Sequence, residues 1–91
     1  MSEVLPGGWS EYSCELSPEA AAAFKEAFAH FVGASYTPVA FAQQVVNGMN
    51  YSYFCNMKLA IPSPVNEAAM VEIHVPPGGK PTIMGISRLP R

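Results

Sequence analysis

The chain has 91 residues, 49% of them hydrophobic and 13% charged, with a formal net charge of -2, which fits one domain with one modest core. Its five Lys and Arg form no phosphate-tracking stripe, which argues against nucleic acid as a partner, and Pro, Gly and polar residues break every long apolar run, which argues against a membrane span. Two cysteines, Cys14 and Cys55, are too few for a disulfide framework, and Met1 to Gly8 lacks the basic start and apolar stretch of a secretion signal, so the expectation is a reduced, cytoplasmic protein.

Residues 1–15 show no periodicity and read as an extended arm, with Pro6-Gly7-Gly8 within it. A helix start follows. Ser17 is a good N-cap, Pro18 suits the first helical position, and Glu19 favours the positive end of the helix dipole. Ala20, Phe24, Ala27, Phe28 and Phe31 recur at helical spacing, with Lys25, Glu26 and His30 largely on the other side. Gly33 reads as the stop, giving an amphipathic helix of about four turns whose Phe stripe packs on a sheet.

Everything after Gly33 reads as strand. Val39, Phe41, Gln43 and Val45 alternate with Ala40, Ala42, Gln44 and Val46. Asn47-Gly48 then reads as a tight hairpin turn, since both residues tolerate positive φ. Beyond it Tyr51, Tyr53, Cys55, Met57, Leu59 and Ile61 share one face, and Asn50, Ser52, Phe54, Asn56, Lys58 and Ala60 the other. Pro62-Ser63-Pro64 ends that strand. A third run, Ala69 to Val75, puts Val71, Ile73 and Val75 on one face against Glu72 and His74. Pro76 to Pro81 is a second turn region, and a last strand runs from about Thr82 to Leu89. The whole is an α+β layer: one N-terminal helix across a four- to five-stranded antiparallel sheet, in a single domain spanning residues 1–91.

Catalytic chemistry finds little to use. Cys55 sits on an apolar face without a basic neighbour to lower its pKa, and Cys14 in the arm has no evident base. His30 falls on the polar helix side, and His74 pairs with Glu72 on a solvent face. No metal-ligand spacing appears, no cofactor is called for, and Asn50-Tyr51-Ser52, although a glycosylation sequon, falls where a strand runs.

Several stretches together resemble a known family. Gln44-Val45-Val46-Asn47-Gly48 matches the Gln-x-Val-x-Gly first hairpin loop of the cystatins. Asn50-Tyr51 follows at the spacing of the stefins, the single-domain, disulfide-free branch. Leu5-Pro6-Gly7-Gly8-Trp9-Ser10-Glu11 resembles the stefin N-terminus, and Val75 to Gly78 resembles the second hairpin loop. The chain departs from the pattern in Asn47, where a small residue is usual, in Trp9, where an aliphatic is common, and in a second hairpin that looks short.

The resemblance implies a cystatin-like fold and no enzyme activity of its own. It implies reversible, tight-binding inhibition of papain-like, cathepsin-like cysteine proteases. Leu5, Pro6 and Gly7 would lie along the substrate subsites, Gln44, Val45, Val46, Asn47 and Gly48 would enter the cleft, and Pro77 and Gly78 would make a third contact. A non-inhibitory interaction module of the same fold is the alternative, because fold does not imply function. The expected species is a monomer. Gln44 to Gly48 would be the hinge if two copies exchanged the helix and its flanking strand.

Overall fold

The computed structural model describes residues 8–89. One helix, α1 (Pro18–Ala27), precedes four strands, β1 (Ala34–Val46), β2 (Gly48–Leu59), β3 (Glu67–Val75) and β4 (Thr82–Arg88). The strands pair antiparallel in the order β1-β2-β3-β4, and α1 covers one face. This is the expected α+β arrangement, and among the described residues no helix is long and apolar enough to cross a membrane.

The helix starts where its capping chemistry requires. The Ser17 hydroxyl accepts the Ala20 amide at 3.1 Å, Pro18 opens the first turn and Glu19 lies within it. Ala20, Ala23 and Phe24 are buried. The Tyr53 hydroxyl donates to the Ala20 carbonyl at 2.7 Å, and its ring meets Phe24 edge-on at 4.8 Å. Phe41, Tyr51, Cys55, Val71 and Ile73 complete the layer between helix and sheet.

The helix ends at Ala27, well before Gly33. Amides of Ala29 and Phe31 bond three residues back, to Glu26 and Phe28, which tightens the chain out of the α-helix. Phe28 and Phe31 then pack on Tyr36, with ring centroids 5.2 and 5.5 Å from it. Aromatic contact with β1 thus replaces a fourth helical turn. Gly33, at φ +95°, serves the entry to β1 instead.

The alternation expected along β1 breaks at Val39. Pro38 lies opposite Cys55 and Ala40 opposite Phe54, so Val39 is an unpaired extra residue, 45% exposed. A proline without an N–H favours such a bulge on an edge strand. The expected inner face of β2 stops at Leu59; Ile61 lies beyond it and is exposed.

Among the described residues the arm supplies no full fifth strand. It follows β1 through two isolated bridges, Trp9 to Gln44 and Ser13 to Phe41. The Ser10 amide donates to the Gln43 carbonyl at 2.8 Å, and Ser13 and Phe41 exchange backbone bonds at 2.9 Å. Tyr12 reaches over the sheet to Ser52, with hydroxyl oxygens 2.9 Å apart. Ala42 and Ser52 are therefore buried on the face away from the helix.

Burial pushes the Cys55 thiol up to about 12. It raises Tyr53 strongly and Tyr51 less, with nearby Glu19 adding to the Tyr51 shift. All three groups are neutral in folded and unfolded chains at neutral pH. As pH rises through 9.0 for Cys and 10.0 for Tyr, the unfolded chain releases protons that the folded chain keeps, so stability falls. The urea midpoint should stay level from about pH 7 to about pH 8 and then decline steadily towards about pH 11. A level profile across that range would show that these side chains are not held in the core.

Candidate functional site

The first hairpin is tighter than its sequence predicts. Val45 pairs with Met49 and Val46 with Gly48, leaving Asn47 alone at the apex. Positive φ was expected at both Asn47 and Gly48. Only Gly48 adopts it, at +102°, and no described non-glycine residue does. Pairing runs right up to the apex, so the reversal falls on the one residue without a Cβ. Val45 and Val46 remain 40% and 37% exposed there.

Gly48 is also where the two hairpins meet. A Cβ built on it would collide with the Val75 carbonyl oxygen and lie 3.0 Å from the Pro76 Cα and 3.1 Å from the Pro77 ring. Val75 ends β3, and the chain reverses over Pro76-Pro77-Gly78-Gly79. The Gly79 amide donates to the Pro76 carbonyl at 3.0 Å, and Gly78 sits at φ +68°. Proline second and a positive-φ glycine third make the arrangement of a type II turn. Pro77 and Gly78 are exposed. The two tips therefore form one edge, in backbone contact at Gly48.

Leu5, Pro6 and Gly7 lie outside the described residues. The described chain begins at Gly8, and Trp9 bridges Gln44 at the base of the first tip. Trp9 is 46% exposed, so the sheet covers only part of it.

Behind the tips lies a polar row that the sequence reading missed. The Asn50 amide donates to the Gln44 side-chain oxygen at 2.8 Å, and the Asn50 oxygen lies 2.6 Å from His74 Nδ1. His74 thus bonds across strands to Asn50 rather than to Glu72 beside it. The expected two-residue turn at Asn47-Gly48 hid it, because that turn sets Gln44 opposite Tyr51, whereas a hairpin turning at Asn47 alone sets Gln44 opposite Asn50.

The arrangement presents surface rather than reactive groups. Cys55 is fully buried with its thiol held protonated, and among the described residues no three His, Cys, Asp or Glu side chains are grouped to hold a metal ion. What the edge offers is exposed valine and proline on a backbone fixed by paired strands. Compared with protein-family models, curated proteins and solved structures, the chain matches none.

Two alanine substitutions separate the roles of the glycines. Gly78 has open space around it, so Gly78→Ala should cost only its backbone strain, about 1 kcal/mol. Gly48→Ala adds the collision with Val75 to its strain and should cost roughly 3 kcal/mol or more. It should also shift the amide resonances of Gly78 and Gly79. Equal costs for the two variants would show that the hairpins do not bear on each other.

Proposed function

We propose that this chain is a stefin-like cystatin, with a cystatin-like fold, and that it inhibits papain-like cysteine proteases reversibly by occluding their cleft. The observation that carries this reading is the joined edge. The segment matching the cystatin first loop and the segment matching the second loop come together where Gly48 meets the Val75–Pro76 backbone and the Pro77 ring. Cleft entry by two loops at once requires that neighbourhood. The arm supports it, since the described chain starts beside Gln44, where Leu5, Pro6 and Gly7 would follow the subsites.

The energetics fit a wedge. Val45 and Val46 are already partly covered, so burying the remainder contributes roughly 1 kcal/mol each. The fixed hairpins lose little entropy on docking, which leaves more of that gain as affinity. No peptide bond of the inhibitor has to sit in attack geometry, so occlusion proceeds without cleavage.

Titrating papain with the purified monomer should give inhibition that reverses on dilution, with the chain recovered intact. No effect on papain or several cathepsin-like enzymes at micromolar chain would overturn the reading and leave a non-inhibitory interaction module. Val46→Asp must desolvate a charge on docking, so it should weaken inhibition at least tenfold, about 1.4 kcal/mol, with Tm nearly unchanged. Deleting residues 1–7 should weaken inhibition chiefly through faster dissociation.

A further inference from the structure

We infer that His74 and Asn50 are positioning residues: with Gln44 they form a directional hydrogen-bonded tie across β1, β2 and β3 that holds the two hairpin tips in one relative position. The consequence for binding rests on the inhibitory reading above. The tie itself does not.

Gln44 pairs with Asn50, and Asn50 pairs with His74, so the three side chains stand in one row on the face away from the helix. The row crosses the sheet immediately behind both tips. Gln44 is followed by Val45 and Val46, and His74 by Val75, whose carbonyl abuts Gly48. Asn50 stands between them and bonds to both. Its amide N–H donates to the Gln44 oxygen at 2.8 Å, so its own oxygen faces His74 Nδ1 at 2.6 Å.

This arrangement dictates the state of the imidazole. Asn50 Oδ1 accepts, so Nδ1 must carry a proton. The neutral Nδ1–H tautomer and the imidazolium both serve, and the neutral Nε2–H tautomer, which predominates for free imidazole side chains in water, does not. All three residues are partly buried, so the bonds compete with less water than surface ones do. Glu72, on the same face of β3, is the charged neighbour in the groove of about 410 Å³ that His74 lines with Trp9, Asn50 and Met84.

Chemistry also supplies a matched pair of variants. The amide nitrogen of asparagine and Nδ1 of histidine are both bonded to Cγ, so His74→Asn keeps a donor at the same distance from the backbone. His74→Leu keeps a similar volume without one.

Long-range nitrogen–proton NMR of the ring in the neutral state should place the His74 proton on Nδ1. His74→Leu should speed amide hydrogen exchange at Val46, Gly48 and Gly79 by roughly three- to tenfold, the effect of one lost hydrogen bond, and His74→Asn should return it to the wild-type rate. Gln44→Leu combined with His74→Leu should give less than the product of the single effects, although Gln44 and His74 stand two strands apart. On papain, His74→Leu should raise the dissociation rate by a similar factor and leave the association rate nearly unchanged, with Tm lowered by only the several degrees that one lost hydrogen bond costs. A proton on Nε2, equal exchange in the Asn and Leu variants, or multiplicative effects in the double variant would overturn the tie. If the wild-type chain fails to inhibit any papain-like enzyme, the inhibitory reading falls alone, because the tautomer and exchange measurements still decide this one.

Discussion

Tyr53 is the point from which the rest of the structure is set. It is fully buried, it takes Phe24 edge-on, and its hydroxyl donates to the helix backbone at Ala20. A tyrosine there does what a phenylalanine cannot, fixing where along the helix the sheet makes contact. It also decides parity. With Tyr53 towards the helix, Tyr51, Cys55 and Met57 must follow it inward, and Asn50, Ser52 and Phe54 must face the other way. A one-residue slip would put every one of these on the wrong side, so one buried hydroxyl disfavours all alternative registers of the central strand.

That parity reaches the candidate site directly. Because Ser52 faces away from the helix, Tyr12 bonds to it and draws the arm along β1. Because Asn50 faces the same way, it stands between Gln44 and His74. The first hairpin would otherwise be a two-stranded ribbon projecting from the sheet, and such ribbons are weakly stable by themselves. Here the arm supports it on one side, and Val75 to Pro77 bears against Gly48 on the other. The rigidity of the edge comes from packing at its base and at one backbone contact, with the two valines left exposed.

The sequence was legible where local chemistry acts alone. Ser17-Pro18-Glu19 marked the helix start, and alternation marked the inner faces of β2 and β3, because period and capping need no distant partner. It was misleading where distant residues outbid the local pattern. The Phe28 and Phe31 spacing is helical, but Tyr36 offered their rings a better surface and the helix stopped. Val39 fits an alternating strand, but the adjacent proline turned it into a bulge. A hairpin over Gln44 to Gly48 was readable from its turn residues and flanking alternation. Its contact with the second hairpin was not, since nothing local to Gly48 announces the Val75 carbonyl. Asn47 shows the limit of turn propensity: a residue that tolerates positive φ did not use it, because pairing to the apex left the reversal to Gly48 alone.

These constraints divide the edge into parts of unequal freedom. Gly48 is fixed twice, by its φ of +102° and by the Val75 carbonyl, and Gln44 and Asn50 are occupied with each other. Val45, Val46 and Asn47 bear no such duty, being exposed at the end of a paired ribbon. Gly78 projects into open space from a turn closed behind it by the Pro76–Gly79 bond, while the Pro77 ring stands close to Gly48. Substitution at Val45, Val46, Asn47 and Gly78 changes what the edge presents at little structural cost, so long as Gly78 keeps a residue at ease with φ +68°. Substitution at Gly48 changes whether there is one edge at all. The departure of this chain from the stefin pattern at Asn47 falls in the permissive set, at the apex, where a new side chain alters what the edge presents and leaves the fold beneath it alone.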